Sequence, residues 1–203
     1  MNDAYKLTAM LAVTLGVFVW SAINPHYYLT WFLEVLPVII GFVVLVLTFK
    51  SFPLAQLTYG LITLHAVILM VGGHYTYAQV PAFDALGHTL GWTRNNYDKL
   101  GHFAQGFVPA IIAREILLRK TALRTGKMLF FLVICVCLAI SASYELLEWL
   151  VSVLSGSAAD DFLVTQGDVW DTQKDMAFAF MGAVLAQLTL ARCHERSMLK
   201  IGQ

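Results

Sequence analysis

Three short segments of the chain carry side chains whose types and spacing could do chemistry. Each contains one pair of ionisable residues, and the pairs are Asp98 with His102, Glu145 with Glu148, and Asp171 with Asp175. Spacings of three or four residues place both members of a pair on one side of a helix. Carboxylates combined with one imidazole suit a divalent cation such as Mg, Mn, Fe or Zn, and they also suit general acid or base catalysis.

The elements that position these segments are predicted to be membrane helices. The chain of 203 residues is 59% hydrophobic and 13% charged, with a mean hydropathy of +0.70. Soluble domains average about 25% charged residues, and a core of this size cannot hide so much apolar surface from water. The composition therefore predicts an all-α integral membrane protein whose principal partner is the lipid bilayer.

Six stretches have the length and apolar character of transmembrane helices, which need about 20 residues. The first is predicted to be a retained helix rather than a signal peptide, because it lacks a small-residue cleavage site and is followed by five more spans. Residues 1–203 are accordingly predicted to form a single multi-pass domain. The predicted spans are 7–23, 29–49, 54–71, 101–118, 128–150 and 174–191.

The basic residues predict the orientation of these spans. If both termini are cytoplasmic, ten of the thirteen Lys and Arg lie at the inner surface, and only Arg94, Lys99 and Lys174 lie at the outer one. Short cytoplasmic loops retain Lys and Arg, so the sequence predicts cytoplasmic termini. In this orientation the three polar segments all meet the outer face, and their acidic residues had no part in choosing it.

Two other classes of protein are excluded by composition. Thirteen basic residues balance thirteen acidic ones, so the chain lacks the basic excess of a nucleic-acid-binding protein. Three cysteines, two of them inside an apolar run at Cys135 and Cys137, are too few for a disulfide framework or a Cys-rich zinc site. Packing is their predicted role.

The three polar segments predict a site near the outer face. Ionisable groups at membrane depth face the bundle interior, a cavity or one another, and four clustered carboxylates need protons or a cation to compensate them. Arg94, Lys99 and Lys174 are available to neutralise part of this charge. The predicted metal ligands are His102, Glu145, Glu148, Asp171 and Asp175. The predicted catalytic residues are His102, as a general acid or base oriented by Asp98, with Glu145 and Asp171.

Several residues outside these pairs have a structural and a functional interpretation. Glu34 either reaches the same cavity or caps a kink at Pro37, and His65 is predicted to pair with another helix near mid-membrane. Gly182 is expected to allow close helix packing. An ion-pair group at the inner end is predicted from Arg114, Glu115 and Arg119. The outer polar residues themselves also have a purely structural interpretation, as a network that holds the last three spans together.

In segments 95–106, 141–149 and 165–175 the chain resembles the YjdF-type bacterial inner-membrane proteins, a family without an established activity. The resemblance extends over nearly the whole chain and implies a location in the bacterial inner membrane.

A second resemblance is carried by segment 98–102, Asp-Lys-Leu-Gly-His, which is similar to the Asp-Lys-x-x-His opening of VanZ-like membrane proteins, a family linked to glycopeptide-antibiotic resistance. Glu145 falls where those proteins have an acid late in a helix, and Asp171 with Gly182 is similar to their final helix. The chain departs from that pattern at Asp175, where Asn is usual, and lacks an Arg before the acidic pair. The resemblance implies a site at the outer face of a multispan protein.

Three functional hypotheses follow. The first is a metal-dependent enzyme, or a ligand-binding protein, that acts on a lipid-linked or envelope molecule. The second is a small proton- or cation-coupled transporter, which needs a polar path below the site, where His65 is the ionisable candidate. The third is a non-catalytic protein whose acidic face binds an envelope component. Whether the protein is an enzyme stays open at this stage.

Overall fold

The computed structural model describes residues 3–155 and 167–201, and in these ranges it contains α-helices and no β-strand. This confirms the predicted all-α class. The seven helices of the described ranges are α1 (Asp3–Ala22), α2 (Tyr28–Thr48), α3 (Gln56–His74), α4 (Pro81–Leu90), α5 (Tyr97–Lys120), α6 (Lys127–Ser155) and α7 (Asp171–Met198).

Five of these helices, α1, α2, α3, α6 and α7, are long and apolar enough to cross a membrane. The predicted span at 101–118 corresponds to α5, whose charged residues lie near its two ends. The predicted bounds were too short for the last three spans, since α5 begins at Tyr97, α6 continues to Ser155 and α7 extends from Asp171 to Met198. The predicted bounds followed the apolar residues, but the helical hydrogen bonding of the backbone continues beyond them. The polar segments therefore form the terminal turns of α5, α6 and α7.

A short helix, α4, occupies part of the predicted connection between the third and fourth spans. Its signals are local: Pro81 stands at the first helical position, and Gly91 ends the helix with φ of 71°, a conformation that glycine adopts without strain. The side chain of Asn95 donates hydrogen bonds to the Val80 carbonyl at 3.0 Å and to Asp84 Oδ1 at 2.7 Å. These contacts attach α4 to the start of α5.

Helix α5 lies at the centre of the bundle, packed against α3, α6 and α7, while α1 and α2 pack on α3. Helices α5 and α7 run parallel, because Lys99 meets Asp171 where both helices begin and Glu115 meets His194 near the ends of both. We call the end where α5 and α7 begin the site end, and the opposite one the far end. The hydrogen bond from the His26 amide to the His74 carbonyl places the α1–α2 turn at the site end.

Two glycines allow α5 and α7 to touch through their backbones. A Cβ atom on Gly106 of α5 would lie 1.8 Å from the carbonyl oxygen of Ala179, and one on Gly182 of α7 would lie 2.1 Å from that of Phe103. Both distances are well inside van der Waals contact. The close packing predicted for Gly182 is therefore confirmed, and it has a counterpart on the facing helix.

The far end is held by a buried carboxylate, Glu115, which is 0% exposed and joins α3, α5 and α7. Both of its oxygens are satisfied, and the donors are the Ala55 amide at 2.8 Å, Arg119 at 2.6 Å, the Thr58 hydroxyl at 2.6 Å and His194 Nε2 at 3.0 Å. Arg114 lies 3.2 Å from His194 Nδ1; because arginine only donates, His194 carries its proton on Nε2. The predicted ion-pair group is thus part of a larger network, and His194 is the member that sequence analysis missed.

An apolar layer separates this network from the site end. It is built from small and branched side chains of α5, α6 and α7, and its buried members are Ala110, Ile111, Leu129, Val133, Cys137, Ala183 and Ala186. The packing role predicted for Cys137 is confirmed, and all three cysteines are unpaired.

We expect Gly182→Ala to destabilise the protein by about 1–3 kcal/mol, because its methyl group would overlap the α5 backbone and force the two helices apart. Thermal unfolding in detergent micelles measures the effect. The matched control is Gly41→Ala in α2, since a Cβ there meets nothing within 4 Å and alanine is the better helix former. Equal melting temperatures for the two variants would contradict the assigned role of Gly182.

Candidate functional site

A cavity of about 230 Å³ opens in the site-end half of the bundle. Its wall combines apolar side chains with acidic and aromatic ones, contributed by α2, α3, α5, α6, α7 and the turn after α3. The lining residues are Glu34, Pro37, His65, Leu69, Tyr77, Asp98, Gly101, His102, Gln105, Pro109, Ile140, Tyr144, Glu148, Asp171 and Asp175.

The first turns of α5 and α7 bring the predicted site residues together. Asp98 and His102 lie one turn apart on α5, and Asp171 and Asp175 lie one turn apart on α7. Because the two helices are parallel and touch at their glycines, the acidic edge of α7 faces the start of α5. Side chains separated by about 70 residues in sequence therefore share one small volume.

Lys99 supplies the central positive charge of this volume. Its Nζ atom lies 2.6 Å from Asp171 Oδ1, 2.7 Å from Asp175 Oδ1 and 3.3 Å from Asp98 Oδ2. The residue is 7% exposed, so three carboxylates compensate an ammonium group that has lost most of its water. A buried charge is tolerated only with such partners.

Arg94 adds a second cation at the rim. Its guanidinium contacts Asp171 Oδ1 at 2.9 Å and also pairs with Asp98, so these two carboxylates are shared between Arg94 and Lys99. Lys174, also available in the sequence for neutralisation, instead lies 2.5 Å from Asp168 with a side chain that is half exposed. The hydrogen bond from Lys174 holds the pKa of the Asp168 carboxyl below its usual value.

His102 lies between two further carboxylates. Its Nδ1 is 3.7 Å from Glu145 Oε1, and its Nε2 is 3.7 Å from Asp175 Oδ1. One potential ligand atom from each of these three residues lies within 4.8 Å of the others. Glu145 is 8% exposed, and its Oε1 is buried without a hydrogen-bond partner among the described residues. An orphaned carboxylate oxygen of this kind calls for a proton or a cation.

The structure divides the predicted site residues into two groups. His102, Glu145 and Asp175 form one trio, while Asp98, Asp171 and Asp175 form another around Lys99. Asp98, predicted to orient His102, pairs with Arg94 and Lys99, and the neighbour of the imidazole is Gln105, 3.3 Å from Nδ1. Gln105 was missed in the sequence, although it lies three residues after His102 on the same helix face.

Glu148 and Glu34 complete the acidic lining of the cavity. Of the two interpretations of Glu34, the structure shows the first, since its carboxylate is 3% exposed and faces the cavity. It accepts a hydrogen bond of 2.9 Å from the Tyr144 hydroxyl. Glu34 and Glu148 have no Lys or Arg within salt-bridge distance in residues 3–155 and 167–201.

Tyr77 enters the cavity wall from an unusual turn. Thr76 and Tyr77 both have positive φ, 54° and 53°, a conformation that costs a non-glycine residue about 1–2 kcal/mol. The tyrosine ring fits between two glycines: a Cβ on Gly72 would lie 2.4 Å from it and one on Gly101 would lie 2.9 Å from it. Sequence analysis missed Tyr77, and those two glycines were the available signal.

His65 lies on the wall contributed by α3. Sequence analysis predicted a partner for it on another helix, but its Nε2 is buried without a hydrogen-bond partner in the described part of the chain. With Leu69 and Pro109 it forms a mainly apolar part of the cavity.

Removing the central cation tests this arrangement. We expect Lys99→Met to lower the free energy of unfolding by about 3–5 kcal/mol, because it leaves buried carboxylates without their partner. The control, Lys174→Met, removes a lysine of the same end from an exposed pair, where the expected loss is about 0–1 kcal/mol. Thermal unfolding in detergent compares the two variants, and an equal loss in both would show that Lys99 does not hold the cluster together.

Comparisons with known proteins agree with the membrane fold. A family model described as "Predicted membrane protein (DUF2238)" matches residues 6–196. The chain is similar to the Inner membrane protein YjdF of Escherichia coli (strain K12), with 53% identity over 195 residues that cover 96% of this chain and 93% of that protein. No solved structure matches the chain. The chain therefore belongs to the DUF2238 family of membrane proteins, and it resides in the inner membrane.

Proposed function

We propose that the cavity is a periplasm-facing site in which His102, Glu145 and Asp175 hold a divalent cation. Through this cation the protein acts as an enzyme or ligand-binding protein on a lipid-linked or envelope molecule. The observation that carries the proposal is the buried Glu145 Oε1, which has no hydrogen-bond partner within residues 3–155 and 167–201 and lies 3.7 Å from His102 Nδ1.

The spacing of the trio suits a shared ion. Ligand atoms about 2.0–2.2 Å from a borderline metal lie about 3–4 Å from one another, and one potential ligand atom from each of the three residues lies within 4.8 Å of the other two. A single ring nitrogen of His102 would bind the ion; Nε2 lies 3.7 Å from Asp175 Oδ1, and Nδ1 lies 3.7 Å from Glu145 Oε1. One imidazole and two carboxylates match Zn, Mn or Fe better than an all-oxygen site does. Asp175 belongs to both trios and accepts a hydrogen bond from Lys99. The other two acids of the second trio, Asp98 and Asp171, also pair with Arg94, whereas Glu145 in the first trio has no Lys or Arg within salt-bridge distance in the described ranges.

Such an ion would polarise a carbonyl or phosphoryl oxygen of the ligand or activate a water molecule. The protein side chains would hold and orient it. Gln105 steadies the His102 ring through Nδ1, and Lys99 anchors Asp175. A second role for His102 follows from the same geometry, because an imidazole between two carboxylates can accept and return a proton without a metal.

The apolar layer supports a closed-ended site rather than a transport path. Below the cavity, α5 continues through Ala110 and Ile111 before it reaches Arg114. A transporter would need a continuous line of polar groups in that interval. The interval contains apolar packing and one buried amide, Gln187, whose Nε2 donates to the Phe130 carbonyl at 3.2 Å.

The periplasmic orientation rests on six crossings, with α5 as the sixth. Between Lys99 and Arg114, α5 has no Lys, Arg, Asp or Glu, and it lies beside α7 from one end to the other. Its 24 residues span about 36 Å, compared with a hydrocarbon core of about 30 Å. The ten-to-three distribution of basic residues then favours cytoplasmic termini and a single multi-pass domain.

Reporter fusions test that topology. A green fluorescent protein fused after Gln203 should fluoresce, whereas alkaline phosphatase at the same position should stay inactive, because the first matures in the cytoplasm and the second in the periplasm. Both signals should reverse for fusions placed after Trp92. An active phosphatase at the C-terminus would refute the orientation.

Metal analysis tests the site. The purified protein, stripped with a chelator and dialysed separately against Zn, Mn, Fe(II) or Mg, should retain about one equivalent of one of these ions, as a three-ligand site predicts. We expect His102→Ala combined with Glu145→Gln to abolish retention. The control is Asp168→Asn, which removes an acid of the same end that is outside the trio.

Retention of the ion by the double variant would refute the assigned ligands. No uptake by a folded wild-type protein would refute the metal itself, and folding is checked by the same thermal unfolding measurement.

A further inference from the structure

Two of the helices that line the cavity, α2 and α6, meet at a boundary in its wall. Helix α2 packs along α3, whereas α6 packs along α5 and α7, so the two helices belong to opposite sides of the cavity. A hydrogen bond from the Tyr144 hydroxyl of α6 to Glu34 of α2 joins them across this boundary. We call this boundary the α2–α6 seam.

The seam opens toward the lipid. Pro37 on α2 and Ile140 on α6 both line the cavity, yet both are exposed, with Ile140 at 42%. A side chain that is exposed and also lines a cavity marks its mouth. Because α2 and α6 are membrane-spanning in length and composition, the surroundings of this mouth are acyl chains.

The part of the cavity behind this mouth has both apolar and acidic surface. Leu69, Pro109 and Ile140 present apolar surface, while Glu34 and Glu148 present carboxylates without a Lys or Arg partner in the described ranges. Carboxylates in an apolar, poorly hydrated space are stabilised by an added cation. The complementary head group is therefore one that carries an ammonium ion.

The size of the cavity limits what enters it. Pockets for drug-sized molecules measure about 300–1,000 Å³, so 230 Å³ accommodates a head group and its first carbons but not two acyl chains. The chains would stay in the bilayer, against the exposed faces of α2 and α6.

We infer that the ligand is a membrane lipid with an ammonium head group. The lipid enters from the bilayer through the α2–α6 seam and places its amine between Glu34 and Glu148. The Tyr144–Glu34 hydrogen bond must break for the head group to enter. The inference rests on the proposed function for what happens to the lipid, but the entry route can be tested separately.

Lipid retention by the full-length protein provides the test. Protein reconstituted in nanodiscs of equal phosphatidylethanolamine and phosphatidylglycerol is extracted into detergent, and the bound lipids are counted by native mass spectrometry. We expect the amine-bearing lipid to be retained in preference. A side chain that plugs the mouth, Ile140→Trp, should weaken this retention by about tenfold, which corresponds to about 1.4 kcal/mol of binding free energy.

The matched control is Val136→Trp, one helical turn earlier on α6. Val136 is 38% exposed, like Ile140, but does not line the cavity, so retention should stay at the wild-type level. Glu148→Gln should reduce the preference for the amine-bearing lipid without closing the mouth. Equal retention of both lipids by the wild type, or equal effects of the two tryptophan variants, would overturn the inference.

Metal content measured on the same samples separates this inference from the proposed function. Ile140 provides no ligand atom, so Ile140→Trp should keep the ion while it loses the lipid. Wild-type protein that retains the ion but shows no lipid preference would refute lateral entry alone. Protein that retains the amine-bearing lipid but takes up no ion would refute the metal site and leave the entry route supported.

Discussion

Backbone contact between α5 and α7 is the constraint on which the rest of the site depends. Gly106 and Gly182 leave no room for a Cβ between the two helices, and this contact fixes both their distance and their parallel register. In lipid, apolar burial does not drive helices together, so close packing of small residues contributes much of the association. With the contact in place, the first turns of α5 and α7 must share their polar side chains, and Lys99 reaches two carboxylates of α7.

The buried carboxylates at the two ends of the α5–α7 pair differ in how fully they are hydrogen-bonded. At the far end, Glu115 has four donors and both oxygens are satisfied, which is what a structural network requires. At the site end, Lys99 and Arg94 pair with Asp98 and Asp171, but Glu145 retains a buried oxygen that has no hydrogen-bond partner among the residues the structure describes. The far-end network therefore explains how the helices are held together, and the unsatisfied group at the site end points to a ligand.

The sequence predicted the fold class and the meeting of the acidic pairs because both depend on periodicity and length, which are local properties. Helix α4 was missed because its ten residues fall below the length that a membrane span needs, although Pro81 and Gly91 marked its ends. Tyr77 and His194 could not be assigned from spacing, since their partners lie on helices distant in sequence. The orienting role of Asp98 stays a prediction: its spacing from His102 indicates a shared face, and Arg94 and Lys99 are the partners that its carboxylate contacts.

The chain has thirteen acidic and thirteen basic residues, but the acidic side chains differ in whether a Lys or Arg lies beside them. Asp98, Asp171 and Asp175 lie against Lys99, Arg94 also pairs with Asp98 and Asp171, and Asp168 pairs with Lys174, so each of these four acids has a Lys or Arg neighbour. Three other acids belong to α2 and α6, the helices that border the mouth: Glu34, Glu145 and Glu148. In the described ranges these acids have no Lys or Arg within salt-bridge distance. The carboxyl groups without a Lys or Arg partner in the described ranges thus lie beside the opening, whereas the paired ones lie at the α5–α7 contact. A cation that enters from outside the protein would complete this side of the cavity without disturbing the contact that holds the bundle together.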